Sequence, residues 1–132
     1  MEPPIRTTPL LQIIAVGAGG FLGSVLRYAI SHLTHWLSLR TVFPLGTLCV
    51  NLIGCFCVGW LSGVLETRYG MGPYLRLFLF IGVLGGFTTF STFGYESFQL
   101  TVGGEYLKAG ANILLSVAAG LGCVWLGYSL GK

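Results

Sequence analysis

Residues 82–93 have the sequence Gly82-Val83-Leu84-Gly85-Gly86-Phe87-Thr88-Thr89-Phe90-Ser91-Thr92-Phe93, and they lie in the middle of the third apolar segment of the chain. Paired glycines weaken an α-helix, and the hydroxyl side chains that follow them can cap a new helix. The Phe residues between the hydroxyls keep the stretch compatible with an apolar environment. The pattern therefore predicts a helix that breaks near Gly85 to Thr88 and then starts again.

The composition of the 132-residue chain indicates an integral membrane protein. Hydrophobic residues make up 54% of it and charged residues only 8%, whereas about a quarter of the residues in an ordinary soluble domain are charged. The net charge of +3 comes mostly from basic residues at segment ends and in loops. This distribution fits contact with membrane lipid and excludes a basic stripe for nucleic acid.

Four apolar segments are long enough to cross a membrane, with approximate spans 10–36, 44–65, 74–99 and 105–128. The chain is therefore predicted to be a single all-α transmembrane domain over residues 1–132, in which the third helix is broken near its middle. Backbone unwound at membrane depth must line a polar cavity or be buried in protein. A broken membrane helix also points free carbonyls at a cation and free amides at an anion. The break is therefore the candidate functional site.

A second glycine-rich stretch, residues 11–23, imitates the strand and turn of a dinucleotide-binding enzyme. That fold needs an acidic residue about twenty positions further on, where Arg40 stands instead, and the next long apolar run fits no βαβ unit. We therefore predict that the protein is not an enzyme. Gly19 and Gly23 are interpreted as a GxxxG face for helix packing.

The polar residues inside the apolar segments include Asn51, Arg27 and Glu96. Asn51 either bonds a neighbouring helix as structural glue, which we favour, or offers NH₂ donors to a permeating anion. Arg27 lies roughly 25 Å beyond Leu10, which places its guanidinium in a vestibule or a headgroup layer. Glu96, late in the third segment, either snorkels to the interface or takes part in gating and solvation.

Two histidines at the end of the first segment raise the question of a metal site. His32 and His35 have a spacing that metal ligands can use, but they stand beside Trp36 in a stretch typical of an interfacial helix end. We favour the interfacial role.

The basic residues are almost balanced between the two membrane sides. Four spans place Arg6, Arg68, Arg76 and Lys132 on one side, and Arg40 and Lys108 on the other, with Arg27 near that second side. This small bias specifies orientation poorly, so insertion in both directions is expected. Four helices pack around side chains without leaving a lumen, and an antiparallel homodimer would supply the additional helices that an ion path needs.

Three motifs resemble one known family. The stretch GGFTTFSTF at 85–93 is similar to the signature of the Fluc (CrcB) fluoride channels. The stretches GFLGSVLRY at 20–28 and GTLCVNLIG at 46–54 resemble the first-helix and second-helix motifs of that family, and they occur in the expected order. The resemblance covers nearly the whole chain.

The resemblance implies a fluoride channel that passively exports fluoride from the cytoplasm and lowers its toxicity. It implies a multi-pass protein of the bacterial inner membrane that forms a dual-topology, antiparallel homodimer with two pores. It also implies a structural Na⁺, which is not transported, held by the backbone carbonyls of Gly85 and Thr88.

The resemblance further assigns pore roles to individual side chains. Phe90 and Phe93 are expected to line the pore, and the polar partners are Asn51, Ser91, Thr92 and Ser116. Arg27 joins them as an anion-binding candidate. Glu96 and Asn112 are further candidates, and Asn112 stands where some family members carry a Tyr.

Two other classes of protein remain open. A small proton-coupled or multidrug exporter would ordinarily need a carboxylate near the membrane centre, and Glu96 is the candidate for it. A helical scaffold that transports nothing would not need a broken helix.

Overall fold

A computed structural model describes residues 8–38, 41–67 and 70–132 of the chain, and this part forms four helical spans. These are α1 (Pro9–Ser38), α2 (Leu45–Thr67), α3 (Pro73–Val102) and α4 (Tyr106–Gly131). The third span consists of two helices, α3a over residues 73–87 and α3b over Phe90–Val102. Every boundary expected from the sequence lies within three residues of the observed one.

All four spans are long and apolar enough to cross a membrane. Consecutive spans run in opposite directions, as two contacts indicate. The amide of Thr8, before α1, donates to the hydroxyl of Tyr74 at the start of α3a, and the hydroxyl of Thr67, at the end of α2, donates to the carbonyl of Gly131 at the end of α4. Helices α1 and α3a are therefore parallel neighbours, and so are α2 and α4.

Glycines bring the backbones of α1 and α3a into direct contact. A Cβ added to Gly19 would lie 2.9 Å from Gly82 Cα, and a Cβ added to Gly23 would lie 2.8 Å from the Phe87 amide nitrogen. Only residues without a side chain allow this approach. The predicted packing face of Gly19 and Gly23 is thus confirmed. Residues 11–23 lie within α1, so the dinucleotide-binding interpretation is excluded.

A second glycine contact joins α2 to α4. A Cβ added to Gly59 would lie 2.9 Å from the carbonyl carbon of Val124, and one added to Gly127 would lie 2.9 Å from the Trp60 amide nitrogen. The fold therefore consists of two closely packed parallel helix pairs. Small residues at membrane helix interfaces permit this van der Waals contact between backbones. The contact drives helix association in a membrane, where no hydrophobic effect acts between helices because lipid tails are equally apolar.

The third span is irregular along much of its first half. After one α-helical turn, Pro73–Arg76, the backbone forms a π-helix over Leu77–Leu84 and returns to α-helical geometry for Gly85–Phe87. Such wider turns occur mostly at functional sites. The sequence analysis did not anticipate the π-helix, because Leu77–Leu84 is a plain apolar run.

The helix break lies later than the sequence pattern predicted. Gly85 and Gly86 remain helical, and the extended residues are Thr88 (φ −79°, ψ 157°) and Thr89 (φ −150°, ψ 116°). Gly86 serves packing instead, since a Cβ on it would lie 3.0 Å from Gly20 Cα. Thr88 keeps its amide bond to the Leu84 carbonyl, to which its Oγ1 also donates at 2.9 Å, and Thr89 Oγ1 caps the new helix by accepting from the Thr92 amide.

The basic residues that the structure describes lie toward the two ends of the bundle. Arg76 and Lys132 are at the end where α3a starts and α4 stops, and Lys108 is at the opposite end, toward which Arg27 also lies. This agrees with the predicted sides for these four residues. Arg6, Arg40 and Arg68 lie outside the described residues, so their predicted sides are not tested.

Candidate functional site

Asn51 on α2 bonds both backbone groups of Thr89 at the break. Its Nδ2 donates to the Thr89 carbonyl at 3.0 Å, and its Oδ1 accepts from the Thr89 amide at 2.9 Å. Thr89 is buried, so these two bonds satisfy groups that water does not reach. Asn51 is therefore structural glue, which is the alternative that the sequence favoured. The amide group has two N–H donors, and this pair of bonds uses one of them.

The same arrangement frees two carbonyl oxygens. In a continuous helix the Thr89 amide would bond the Gly85 carbonyl, and the Thr92 amide would bond the Thr88 carbonyl. Here the Thr89 amide bonds Asn51, and the Thr92 amide bonds the Thr89 hydroxyl at 3.3 Å. The carbonyls of Gly85 and Thr88 thus lack their usual helical donors. Both residues line a cavity of about 380 Å³, which Asn51 and Phe90 also line.

The hydroxyl side chains after the break form one cluster around Thr89. Its Oγ1 donates to Thr92 Oγ1 at 3.0 Å and lies 3.4 Å from Ser91 Oγ, a contact in which either oxygen can donate. Ser91 and Thr92 are exposed on the outer face of the chain. The sequence analysis named Ser91 and Thr92 but missed Thr89, although its position before a helix start is typical of an N-cap.

Phe90 and Phe93 share one face of α3b. Their ring centroids are 5.6 Å apart and the rings are tilted by 49° to one another. Phe93 is half-buried, whereas Phe90 is 84% exposed. The Phe90 ring therefore faces away from the chain, close to the helix break.

Glu96 lies at a second and larger cavity of about 770 Å³, which opens between α1, α2 and α3b. Its Oε1 accepts a hydrogen bond of 2.8 Å from Thr47 Oγ1, while its Oε2 is buried without a partner in the described part of the chain. Thr47 was missed by the sequence analysis. A signal for it existed, because Thr47 precedes Asn51 by four residues and so shares its helix face.

His32 and His35 line the mouth of this larger cavity and are exposed. Within the described residues, no three His, Cys, Asp or Glu side chains are grouped so that they could hold a metal ion. This geometry fits the interfacial role that the sequence favoured for the two histidines.

The remaining candidates lie away from both cavities. Ser116 Oγ, on α4, is buried and has no hydrogen-bond partner among the described residues. Asn112 is 1% exposed and donates to Ser97 Oγ at 2.9 Å. Arg27 is half-buried on α1. The structure thus brings Asn51, Gly85, Thr88 and Phe90 together at one cavity and Glu96 to the other, and it leaves Arg27, Asn112 and Ser116 outside them.

Comparison with known proteins identifies the family. Residues 14–128 match the family model described as CrcB-like protein, Camphor Resistance (CrcB). The chain is 44% identical over 125 residues to the Fluoride-specific ion channel FluC of Elusimicrobium minutum, covering 95% of this chain and 97% of that protein. It is 45% identical over 121 residues to the protein of the same name from Methanococcus maripaludis, covering 88% of this chain and 92% of that one. The chain is therefore a multi-pass membrane protein that belongs to the CrcB family.

Proposed function

We propose that this protein is a channel, not an enzyme, through which fluoride leaves the cytoplasm passively, so that fluoride toxicity falls. The observation that carries this proposal is the break at Thr88 and Thr89, where polar groups face a cavity inside an apolar span. The relatives named above are called fluoride-specific ion channels. Location in the bacterial inner membrane, among its lipids, is part of the proposal.

Fluoride is small and strongly hydrated, so a selective path must replace its water with hydrogen-bond donors. The second N–H of Asn51 and the hydroxyls of Ser91 and Thr92 are such donors. Ser116 adds a buried hydroxyl without a partner in the described chain. A buried polar group costs free energy until it is bonded, and a passing anion would accept the hydrogen bond that Ser116 offers.

The Phe pair suits an anion as well. An aromatic ring carries a negative face and a positive edge, so an anion in the ring plane is attracted. Lipid-facing packing is the ordinary role of a membrane Phe. The hydroxyl cluster beside Phe90 and Phe93 favours the pore role instead.

A second, inverted copy of the chain completes the proposed pore. The Phe90 ring is 84% exposed beside the break, and four packed helices leave no lumen of their own. An antiparallel partner would cover this ring and contribute its own donors. The nearly balanced basic residues permit both insertions.

The carbonyls of Gly85 and Thr88 fit a structural Na⁺. They are neutral oxygens without their usual helical donors, they line the same cavity, and a Cβ at Gly85 would meet only the Phe80 carbonyl oxygen, at 3.8 Å. Each chain of the dimer would offer two such oxygens. The bound ion would supply a fixed positive charge near the anion path and would not be transported.

The exporter alternative depends on Glu96 exchanging protons. Glu96 instead accepts from Thr47 and lies at the cavity that the exposed His32 and His35 also line. A passive channel needs no such exchange, and we do not favour the exporter.

Ion flux from proteoliposomes tests the proposed function. Purified protein is reconstituted in vesicles loaded with potassium fluoride or potassium chloride, and a potassium ionophore starts the efflux. We expect fluoride efflux without chloride efflux and without an imposed pH gradient. Equal chloride flux, or no fluoride flux, would overturn the proposal. Fluoride flux that requires a pH gradient would support the exporter.

A further inference from the structure

A hydrogen-bond relay joins α4 to the backbone of Phe93. Asn112 Nδ2 donates to Ser97 Oγ at 2.9 Å, and Ser97 Oγ donates in turn to the Phe93 carbonyl oxygen at 2.8 Å. Asn112 is 1% exposed and Ser97 is 7% exposed. The relay is therefore shielded from water and from lipid, which leaves its donors few alternative partners.

The direction of the relay follows from the groups involved. A serine hydroxyl has one proton and can accept through its oxygen, whereas an amide nitrogen can only donate. Because Asn112 donates to the Ser97 oxygen, the Ser97 proton is left for the Phe93 carbonyl. Consecutive hydrogen bonds of this kind polarise and strengthen one another. Asn112 thus fixes the rotamer of Ser97.

A serine that bonds the carbonyl four residues earlier bends its helix locally. The carbonyl that Ser97 bonds is that of Phe93, so the bend lies next to this residue. The centroid of the Phe93 ring is 5.6 Å from that of the Phe90 ring. The attraction between an anion and a Phe ring depends on the angle at which the ring edge is presented. A change in the bend at Phe93 would therefore change the interaction of its ring with an anion.

We propose that Asn112 and Ser97 are positioning residues for Phe93, and that they control the rate of fluoride passage without contacting the ion. The inference rests on the proposed function. Asn112 and Ser97 line neither cavity, which excludes them as ligands in those spaces. Ser97 follows Phe93 by four residues, so it lies one turn further along the same face of α3b, where Asn112 of α4 contacts it.

Single-channel recording of four variants tests the pair. The variants are Ser97→Ala, Asn112→Leu, the double variant and Ser97→Thr, which keeps the hydroxyl. Loss of either bond of the relay should lower the unitary fluoride current by about three- to tenfold, the effect of one hydrogen bond. The double variant should equal Ser97→Ala, because Asn112 acts through Ser97. Ser97→Thr should restore most of the current.

Ser62→Ala is the matched control. Ser62 on α2 is half-buried, and its hydroxyl donates to the carbonyl of Val58, four residues earlier, at 2.7 Å. This bond resembles that of Ser97, but no residue of another helix is bonded to the Ser62 hydroxyl in the described chain. Its removal should leave the unitary current unchanged.

The readout separates positioning from simple helix packing. Unitary current is measured on channels that have folded, so a packing role would lower protein yield and thermal stability but leave the current unchanged. That result, or losses that add in the double variant, would overturn the inference. If Asn112→Leu does not fold, Ser97→Ala and Ser97→Thr decide the question. If the unaltered protein conducts no fluoride, the proposed function fails first.

Discussion

Asn51 and Thr89 form a closed pair of hydrogen bonds across the helix break, at 3.0 Å and 2.9 Å, in which an amide side chain imitates the backbone of a missing helical neighbour. The pair links α2 to the point where α3 changes direction. It also takes the Thr89 amide, which leaves the carbonyl of Gly85 without its helical donor. The stability of the break and the chemistry of its cavity therefore depend on the same side chain.

Replacing Asn51 should destabilise the fold in two distinguishable steps. Asn51→Leu removes both partners of Thr89, and each buried group left unsatisfied costs about 1–3 kcal/mol. Asn51→Asp keeps the acceptor for the Thr89 amide but replaces the donor with an oxygen that faces the Thr89 carbonyl. We expect the free energy of unfolding in detergent to be highest for the unaltered protein, lower for Asn51→Asp and lowest for Asn51→Leu. Equal stability of the three proteins would contradict this role.

Phe93→Ile should lower fluoride flux far more than it lowers stability. Isoleucine keeps much of the apolar bulk but has no polarised ring edge to attract an anion. Phe98→Ile on the same helix is the control, because Phe98 is an exposed ring to which no pore role is assigned. Flux into vesicles and thermal melting are measured on both variants, and on Phe90→Ile. Unchanged fluoride flux in a well-folded Phe93→Ile protein would show that the Phe93 ring serves packing only.

The sequence predicted the broken third span and placed the break near Gly85 to Thr88, but only Thr88 of that range is extended, together with Thr89. Paired glycines are typical both of a helix break and of a helix-packing face. These two roles can be distinguished only when the position of α1 is known. Gly86 lies against the Gly20 backbone, so it remains helical. Thr88 keeps its amide bond to the Leu84 carbonyl, and Thr89 can leave the helix because the Asn51 side chain bonds both of its backbone groups.

Contacts between residues that are far apart in the chain could not be predicted from sequence patterns. Glu96 and Thr47 are 49 residues apart in the chain, and their hydrogen bond depends on how α2 crosses α3b. Asn112 was expected among the pore candidates, and the structure shows it bonded to Ser97, one turn beyond Phe93. Sequence spacing fixes which residues share one helix face, and it does not fix which face of another helix they meet.

Close packing of α2 on α4 gives a prediction with a matched control. Gly127→Ala should separate the two helices, because its Cβ would lie 2.9 Å from the Trp60 amide nitrogen. Gly122→Ala on the same helix meets nothing within 4 Å, and should stabilise the helix by up to about 1 kcal/mol. Unfolding in detergent should therefore move in opposite directions for the two variants. Similar effects of both would refute the proposed contact.

Labelling in intact cells tests the two orientations. A cysteine at Gly72, which is exposed and has open space around it, should react with a membrane-impermeant maleimide in roughly half of the molecules if both insertions occur. The unaltered chain is the control, because its four thiols lie inside the spans. Labelling of all molecules, or of none, would indicate a single orientation.

Removal of sodium should weaken both the dimer and the fluoride flux. A bound ion stabilises the state that holds it, so dimer stability should fall by about 1.4 kcal/mol for each tenfold decrease in sodium above the dissociation constant. Sodium is replaced by a bulky organic cation at constant ionic strength, and dimer dissociation is measured beside flux.

Thr88→Ser is the matched variant for this experiment, because the proposed ligand is the Thr88 carbonyl and not its side chain. Serine keeps the hydroxyl that donates to the Leu84 carbonyl, and it loses only the methyl group that faces Gly54, at a cost of about 0.8 kcal/mol. The sodium dependence of Thr88→Ser should therefore equal that of the unaltered protein. If flux and dimer stability are the same with and without sodium, the freed carbonyls of Gly85 and Thr88 do not bind a structural cation.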